Sequence, residues 1–381
     1  MKVALVHDYL KDFGGAERVL LSLSEIYPEA PIYTAFYVKN SPAGEVLKGK
    51  EIHESAFAPI LKPWRLYSPL RFLLPWIWGS IDLSKYDLVI TSTSNYIARG
   101  FSTKGGSASG RKVGESTKVI AYCHTPPRFL YGYKTGYDWK KHTLVRIYGS
   151  VVAHFLRMFD WSSAQKIDYW IANSQNVAQR IEKFYRKDST VIYPPIEVEK
   201  LARVARNKEK EEYFLIVARL VGSKGLEEAI VAANELQIPL KVVGDAQGFT
   251  SVSEKLKKLG KENVEFLGRV PDDILWELYA KAKGFIALAR DEDFGMTVVE
   301  AQAAGTPVIA FNGGGFKESI IDDKTGILIN KTDKNTIAKA IQKFEKTKWD
   351  KKFIMSHAKK FGKQRFKREI LAYINNLKIT N

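Results

Sequence analysis

The sequence of 381 residues holds one cysteine, Cys123, which excludes an internal disulfide and any cysteine-based zinc site. Its six histidines show no HxxxH spacing, so a histidine-clustered metal centre is not expected either. Apolar runs stop well short of the ~20 residues needed to span a bilayer, and the opening Met-Lys-Val leads into a strand-like VALV run where a signal peptide would carry an h-region. No GxGxxG turn follows a predicted strand, so a dinucleotide fingerprint is missing. These absences lead to the expectation of a soluble, cytoplasmic chain without a structural metal.

Acidic residues are scarce in places. The formal charge of +17 is spread unevenly: residues 1–195 carry +10, 196–357 carry +1 and 358–381 carry +6. A basic first half and tail suit a partner that presents phosphates, an anionic membrane or a nucleic acid. A lysine-rich soluble surface would show the same charge.

Short Val/Ile-rich runs alternate with amphipathic helical stretches, the pattern of parallel sheets covered by helices. Strands are predicted at Lys2–Val6, Pro31–Ala35, Asp87–Thr91, Lys118–Tyr122, Tyr169–Asn173 and Thr190–Tyr193, then again at Tyr213–Ala218, Leu240–Val243, Val264–Leu267, Gly284–Leu288, Pro307–Ala310 and Gly326–Ile329. Two prolines, Pro194 and Pro195, stop the first series, and the charge-alternating stretch 200–212 precedes the second. The expectation is an α/β chain of two Rossmann-like domains, 1–195 and 196–360, with parallel sheets facing a central cleft and a last helix, 361–381, crossing back onto the first domain. Two segments break the alternation. Residues 101–117, rich in Gly and Ser, are expected to form a mobile loop. Residues 62–80 set Trp64, Trp76 and Trp78 among Lys62, Arg65 and Arg71, a mixture that suits either a membrane headgroup region or the core of the first domain.

In open α/β sheets ligands bind beyond the carboxyl ends of the strands, where helix N-termini point positive dipoles. The chemistry-bearing residues fall at those places. His7-Asp8 and then Gly14-Gly15-Ala16-Glu17 follow the first strand, and paired glycines let backbone N–H groups approach a phosphate or sugar. His124, between Cys123 and a proline-stiffened turn, ends another strand; a packing histidine is the plain alternative. Arg219 and Lys224 sit at one strand end beside a glycine turn, where they suit the two charges of a pyrophosphate. The densest cluster is RDEDFGMTVVEAQAAGTPVIAF. Thr297 is read there as the N-cap of a helix through Ala304, with Glu292 before it and Glu300 inside it flanking the amides of Phe294, Gly295, Met296, Thr297 and Val298. Amides can hold a phosphate while carboxylates hold hydroxyls. Asp291–Asp293 also looks like an acidic metal triplet, but the hydroxyl role is preferred.

These residues resemble the retaining glycosyltransferases of family 4, which have the two-domain GT-B fold. The likeness rests on the E-x7-E pair Glu292–Glu300 with FG at 294–295 and EAQAAGTPVI after it, on ARL…KG at 218–225, FLGRV at 266–270, GGFKESI…TGILI at 313–329 and the N-terminal GGAE. HDYLKDFGGAER, YCHTPPRFLY, IANSQNVAQRI and VIYPP place it nearest to mannosyltransferase-like members of polysaccharide and lipid-linked glycan biosynthesis. The resemblance implies that Arg219 and Lys224 bind and neutralise the donor diphosphate, that Glu300 holds the ribose and that Glu292 contacts the sugar. It also implies amides of 294–297 at the diphosphate, Val270 and Arg269 at the base, Gly244 among the donor contacts, Gly15 and Gly14 approaching from the first domain, and His124 beside the reacting face of the sugar. It implies no cofactor and no metal, since Arg, Lys and a helix dipole do a cation's work. It further implies retention, here through front-face attack with the leaving phosphate taking the acceptor's proton.

The expected partners are a nucleotide-sugar donor, GDP-mannose before a UDP-sugar, and a glycan or lipid-linked acceptor. An anionic membrane would meet the basic domain and tail peripherally at the inner face of the plasma membrane, and no nucleic acid is expected. A GT-B epimerase and a basic nucleic-acid-binding protein are the alternatives; no RNP, KH or helix-turn-helix pattern supports the second.

Overall fold

Val, Ile and Leu fill the strand positions on both faces, which is what a sheet covered by helices on both sides requires. The computed structural model describes residues 1–63, 66–103, 117–133, 143–246 and 250–377. They form two contact units, one of 1–133, 143–195 and 366–377 and one of 196–365.

The first unit holds a seven-stranded parallel sheet: β1 (Val3–His7), β2 (Ile32–Thr34), β3 (Ile52–Glu54), β4 (Leu88–Thr93), β5 (Lys118–Cys123), β6 (Tyr169–Ala172) and β7 (Thr190–Val191), in the order β3-β2-β1-β4-β5-β6-β7. The chain runs outward from β1 to β3 and returns to build the other side from β4. The order therefore reverses between β1 and β4, and the carboxyl ends there are His7 and Ser92, paired in register. One face of the sheet packs on a core that includes Trp78, Tyr96 and Tyr185. The other is closed partly by the C-terminal helix Lys363–Asn376, whose Phe366, Ile370 and Ile374 are buried. The Phe366 ring meets Tyr122 edge-on, with centroids 5.9 Å apart.

The second unit holds six parallel strands: β8 (Glu211–Val217), β9 (Leu240–Val243), β10 (Val264–Gly268), β11 (Ala282–Ala287), β12 (Val308–Phe311) and β13 (Gly326–Ile329), in the order β10-β9-β8-β11-β12-β13. Here the reversal lies between β8 and β11. Their carboxyl ends lead directly into Arg219 and into the Glu292 segment.

Three expectations change. β3 was not predicted, because Ile-His-Glu on a half-buried edge strand carries too little apolar pattern to register. The strand expected at Thr190–Tyr193 is paired only over Thr190–Val191. The aromatic segment divides: Leu74, Ile77 and Trp78 are core, with Trp78 Nε1 donating to the Tyr96 carbonyl at 2.9 Å, whereas Phe72 and Trp76 are exposed. Trp64 and Arg65 lie outside the described residues, as do residues 104–116 of the expected mobile loop.

Candidate functional site

The switch point of the first unit gathers a chain of polar side chains on a rigid base. His7 ends β1 and Ser92 lies near the end of β4, so register alone sets them side by side. His7 Nδ1 is 3.0 Å from Ser92 Oγ, and Ser92 Oγ is 2.8 Å from His124 Nε2. Glu17, in the first turn of the helix Gly15–Ile26, reaches back to His7 Nε2 at 3.4 Å and accepts the Gly14 N–H at 2.8 Å. The Gly14 amide is thus held by its own capping box.

Burial pushes the His124 imidazole down to about 3; the neighbouring His7 adds to the shift and Glu17 opposes it. His124 is therefore neutral near pH 7. Burial would raise Glu17, but its hydrogen bond and charge interaction with His7 and the backbone N–H groups hold it below the usual carboxylate range. Asp8 is buried, and its carboxylate accepts from Ser94 N and Oγ (3.1 and 2.7 Å), Tyr96 N (3.0 Å) and Ala98 N (3.2 Å), fixing the loop after β4. Asn173 Nδ2 donates to the His124 carbonyl at 3.0 Å. His124 is thus held at both ring and backbone.

The switch point of the second unit is built from glycine turns and opposite charges. Lys224 Nζ is 2.6 Å from Glu292 Oε2, and both side chains are about one-fifth exposed. Arg219 is exposed at the same strand end as Lys224. The helix behind Glu292 runs Met296–Ala303, and its N-cap is Gly295 at φ +89°. The expected Thr297 cap is therefore corrected to Gly295. The turn at Gly295 lets Phe294 bury, with its ring 5.5 Å from that of Phe361. The N-cap glycine has no side chain with which to cap this helix, and Met296 and Thr297 are its first residues. A glycine-started helix N-terminus beside a lysine is an anion-binding arrangement.

A further turn, Gly313-Gly314-Gly315, packs on Glu292. Gly315 N–H donates to the Glu292 carbonyl at 2.9 Å. Gly314 has φ +56°, and a Cβ there would lie 2.2 Å from that same carbonyl oxygen. This turn fixes the backbone that carries the carboxylate. Glu300 is buried and accepts the Tyr279 hydroxyl at 2.9 Å. Gly244, at the end of β9, donates to the Gly268 carbonyl at 2.7 Å and passes so close to Ala218 that a Cβ would not fit. Arg269 and Val270 follow β10, with Arg269 exposed and Val270 half-buried.

The structure therefore brings Lys224, Glu292, Gly295, Met296 and Thr297 into one neighbourhood, and joins His124 to His7 and Glu17 through Ser92. Ser92, Asn173 and Tyr279 were not anticipated. The first two end strands, a signal that was available, but Tyr279 lies inside a helix and reaches Glu300 only through space. Among the described residues no group of three or more His, Cys, Asp or Glu is placed to hold a metal ion, Asp291–Asp293 included. Among them no helix is long and apolar enough to cross a membrane.

Residues 13–200 match the Glycosyltransferase Family 4 model and residues 197–368 match Glycosyl transferases group 1. An uncharacterised glycosyltransferase of Methanocaldococcus jannaschii is 25% identical over 56% of this chain and 59% of its own length. The O-antigen chain mannosyltransferase C of Escherichia coli is 27% identical over 53% of this chain and 55% of its own. The chain thus spans little more than half the length of these curated relatives. Among solved structures, Anabaena HepE in complex with UDP and glucose superposes with a TM-score of 0.69 at 19% identity, covering 98% of this chain and 99% of that one. The lipopolysaccharide outer core galactosyltransferase WaaB gives 0.62 at 18% identity, covering 99% of each. The architecture is the GT-B fold, two Rossmann-like α/β domains.

Proposed function

We propose that this chain, related along both halves to the family 4 and group 1 glycosyltransferases, transfers a hexose from a nucleoside-diphosphate sugar to a glycan or lipid-linked acceptor. The observation that carries the reading is the Lys224–Glu292 pair beside a helix N-terminus that starts at a glycine cap. A diphosphate arriving there takes Lys224 from the carboxylate and gains the dipole and amides of the first helical turn. Glu292, released, accepts from a sugar hydroxyl. Arg219 adds a second cation at the same strand end, and Glu300, oriented by Tyr279, accepts from the ribose. Gly244, Arg269 and Val270 border the nucleotide.

Bond cleavage adds a further negative charge to a diphosphate that already carries two, so cations fixed beside it act more strongly in the transition state than before it. The acceptor hydroxyl adds to the anomeric carbon on the face the diphosphate leaves, with its proton passing to the leaving oxygen and configuration retained. Within the first unit, the neutral His124 ring and the Gly15 backbone are the groups proposed to meet a sugar or acceptor, and the proposed transfer uses no metal or cofactor.

A UDP-sugar is the donor favoured here, because the structural relative HepE was solved with UDP and glucose. GDP-mannose is the second reading, supported by relatives named as mannosyltransferases. The basic first half and tail are read as facing an anionic membrane at the cytoplasmic side. Thermal-shift titration against UDP- and GDP-sugars separates the donors, since ligand at ~100 times its Kd adds about 2.7 kcal/mol to stability. Stabilisation by GDP-mannose alone would reverse the donor order, and stabilisation by no nucleotide-sugar would remove the reading.

A further inference from the structure

The helix Thr143–Gln165 in the first unit uses its two sides differently. Its inner side buries Ala153, Leu156, Asp160, Ser163 and Ala164. Its outer side carries Leu144, Ile147, Val151, Phe155, Met158 and Trp161, each between 51 and 83% exposed. Steps of three and four residues put these six on one stripe, about 25 Å long at ~1.5 Å per residue. The segment Pro69–Leu73 lies against the same helix, with the Tyr148 hydroxyl donating to the Pro69 carbonyl, and adds exposed Phe72. An apolar surface of this extent marks a docking face.

Its charges select the occupant. The one acidic residue of the helix, Asp160, is buried and paired with Arg99. The charged side chains left at its surface, Arg146 and Arg157, are basic, and His154 is exposed among them. Arg146 and Arg157 lie on one flank, about 100° or more round the helix from the centre of the stripe, with Arg157 Nη1 donating to the Leu130 carbonyl at 3.4 Å, so the helix gives the stripe a basic rim and no acidic one. A bilayer with anionic headgroups supplies both an apolar layer for the stripe and opposite charge for its basic flank, and Trp161 and Phe155 suit the boundary between headgroup and acyl chain.

We propose that this stripe is an in-plane docking face for an anionic lipid bilayer. It deepens the membrane reading above and is independent of the transfer reaction, because vesicle binding is measured with neither donor nor acceptor.

The test is flotation of the full chain with vesicles of phosphatidylcholine alone and with vesicles of about one-third phosphatidylglycerol. Two doubly substituted variants go alongside, Val151→Asp with Phe155→Asp and Arg146→Gln with Arg157→Gln. Wild type is expected to float with the anionic vesicles, the aspartate variant to lose at least about tenfold in affinity, and the glutamine variant to lose a few-fold, most visibly at low salt. Unchanged circular dichroism and an unchanged or raised Tm would show that the substituted side chains are not core. Equal binding to both vesicle types, or anionic binding that survives both aspartates, overturns the proposal. A wild-type dimer in sedimentation that the aspartates dissociate, without vesicle binding, also overturns it and assigns the stripe to a second copy of the chain.

Discussion

The two sheets end in different chemistry. Both are parallel, and both collect polar residues where strand order reverses. In the first unit those residues are bonded to one another: Glu17 to His7, His7 to Ser92, Ser92 to His124, with Asn173 on the His124 carbonyl. In the second they are opposite charges with solvent access, beside a helix end whose cap is a glycine. The linked side chains of the first edge are bonded to one another, and the second edge holds a lysine that an incoming anion can take. That difference is the ground for proposing that the donor binds at the edge of the second unit; the edge of the first unit holds a neutral imidazole.

Substitutions at the second edge are expected to break this contrast most sharply. Lys224→Met should lower kcat for transfer by about 10²–10³, as loss of one fixed charge on a developing anion does, with an unchanged melting curve. Steady-state transfer assays check it. Gly314→Ala comes next: a non-glycine φ of +56° and a contact on the Glu292 carbonyl together should cost about 2–3 kcal/mol of stability, read as a lowered denaturant midpoint. Glu300→Ala should weaken nucleotide binding about tenfold, whereas Tyr279→Phe, which removes only the orienting hydroxyl, should weaken it less; calorimetry distinguishes them.

The smallest effect belongs to the first edge. His124 is pushed down to about 3 in the folded chain, below the ordinary histidine value of about 6.5. Between these values the unfolded chain binds a proton that the folded chain does not, so stability falls as pH drops from about 6.5 toward 3. Glu17, held low, works in the same direction in the carboxylate range. Above pH 6.5 neither contributes a slope. His124→Gln should flatten the acid limb by about 1–2 kcal/mol at pH 4.5 in pH-dependent denaturation.

Much of this contrast was legible before any coordinates. Runs such as FLIVA before Arg219 and FIALA before the Glu292 segment identify buried parallel strands, and ligand residues at strand ends follow from that. What could not be read is contact through space. Ser92 joins two histidines from different strands, and Tyr279 reaches Glu300 across 21 residues. Gly295 is the cap where Thr297 was expected: its φ of +89° and the Phe316 ring, which leaves no room for a Cβ, demand a glycine, whereas the residue types alone favour a hydroxyl. The docking stripe was missed for a related reason. Residues 143–165 have the period of a core helix, and periodicity does not say which side meets protein; the tryptophan-rich stretch 62–80 drew the membrane expectation although Trp78 is core.

The central claim, that the second unit's charged edge receives a nucleoside diphosphate, is tested most directly by calorimetric titration of UDP and UMP into wild type and into Lys224→Gln. The account predicts one-to-one binding of UDP to wild type, markedly weaker binding of UMP, and a loss of at least about tenfold for UDP in the variant with little change for UMP. Equal affinities for UDP and UMP, or a variant that binds UDP as wild type does, would contradict it.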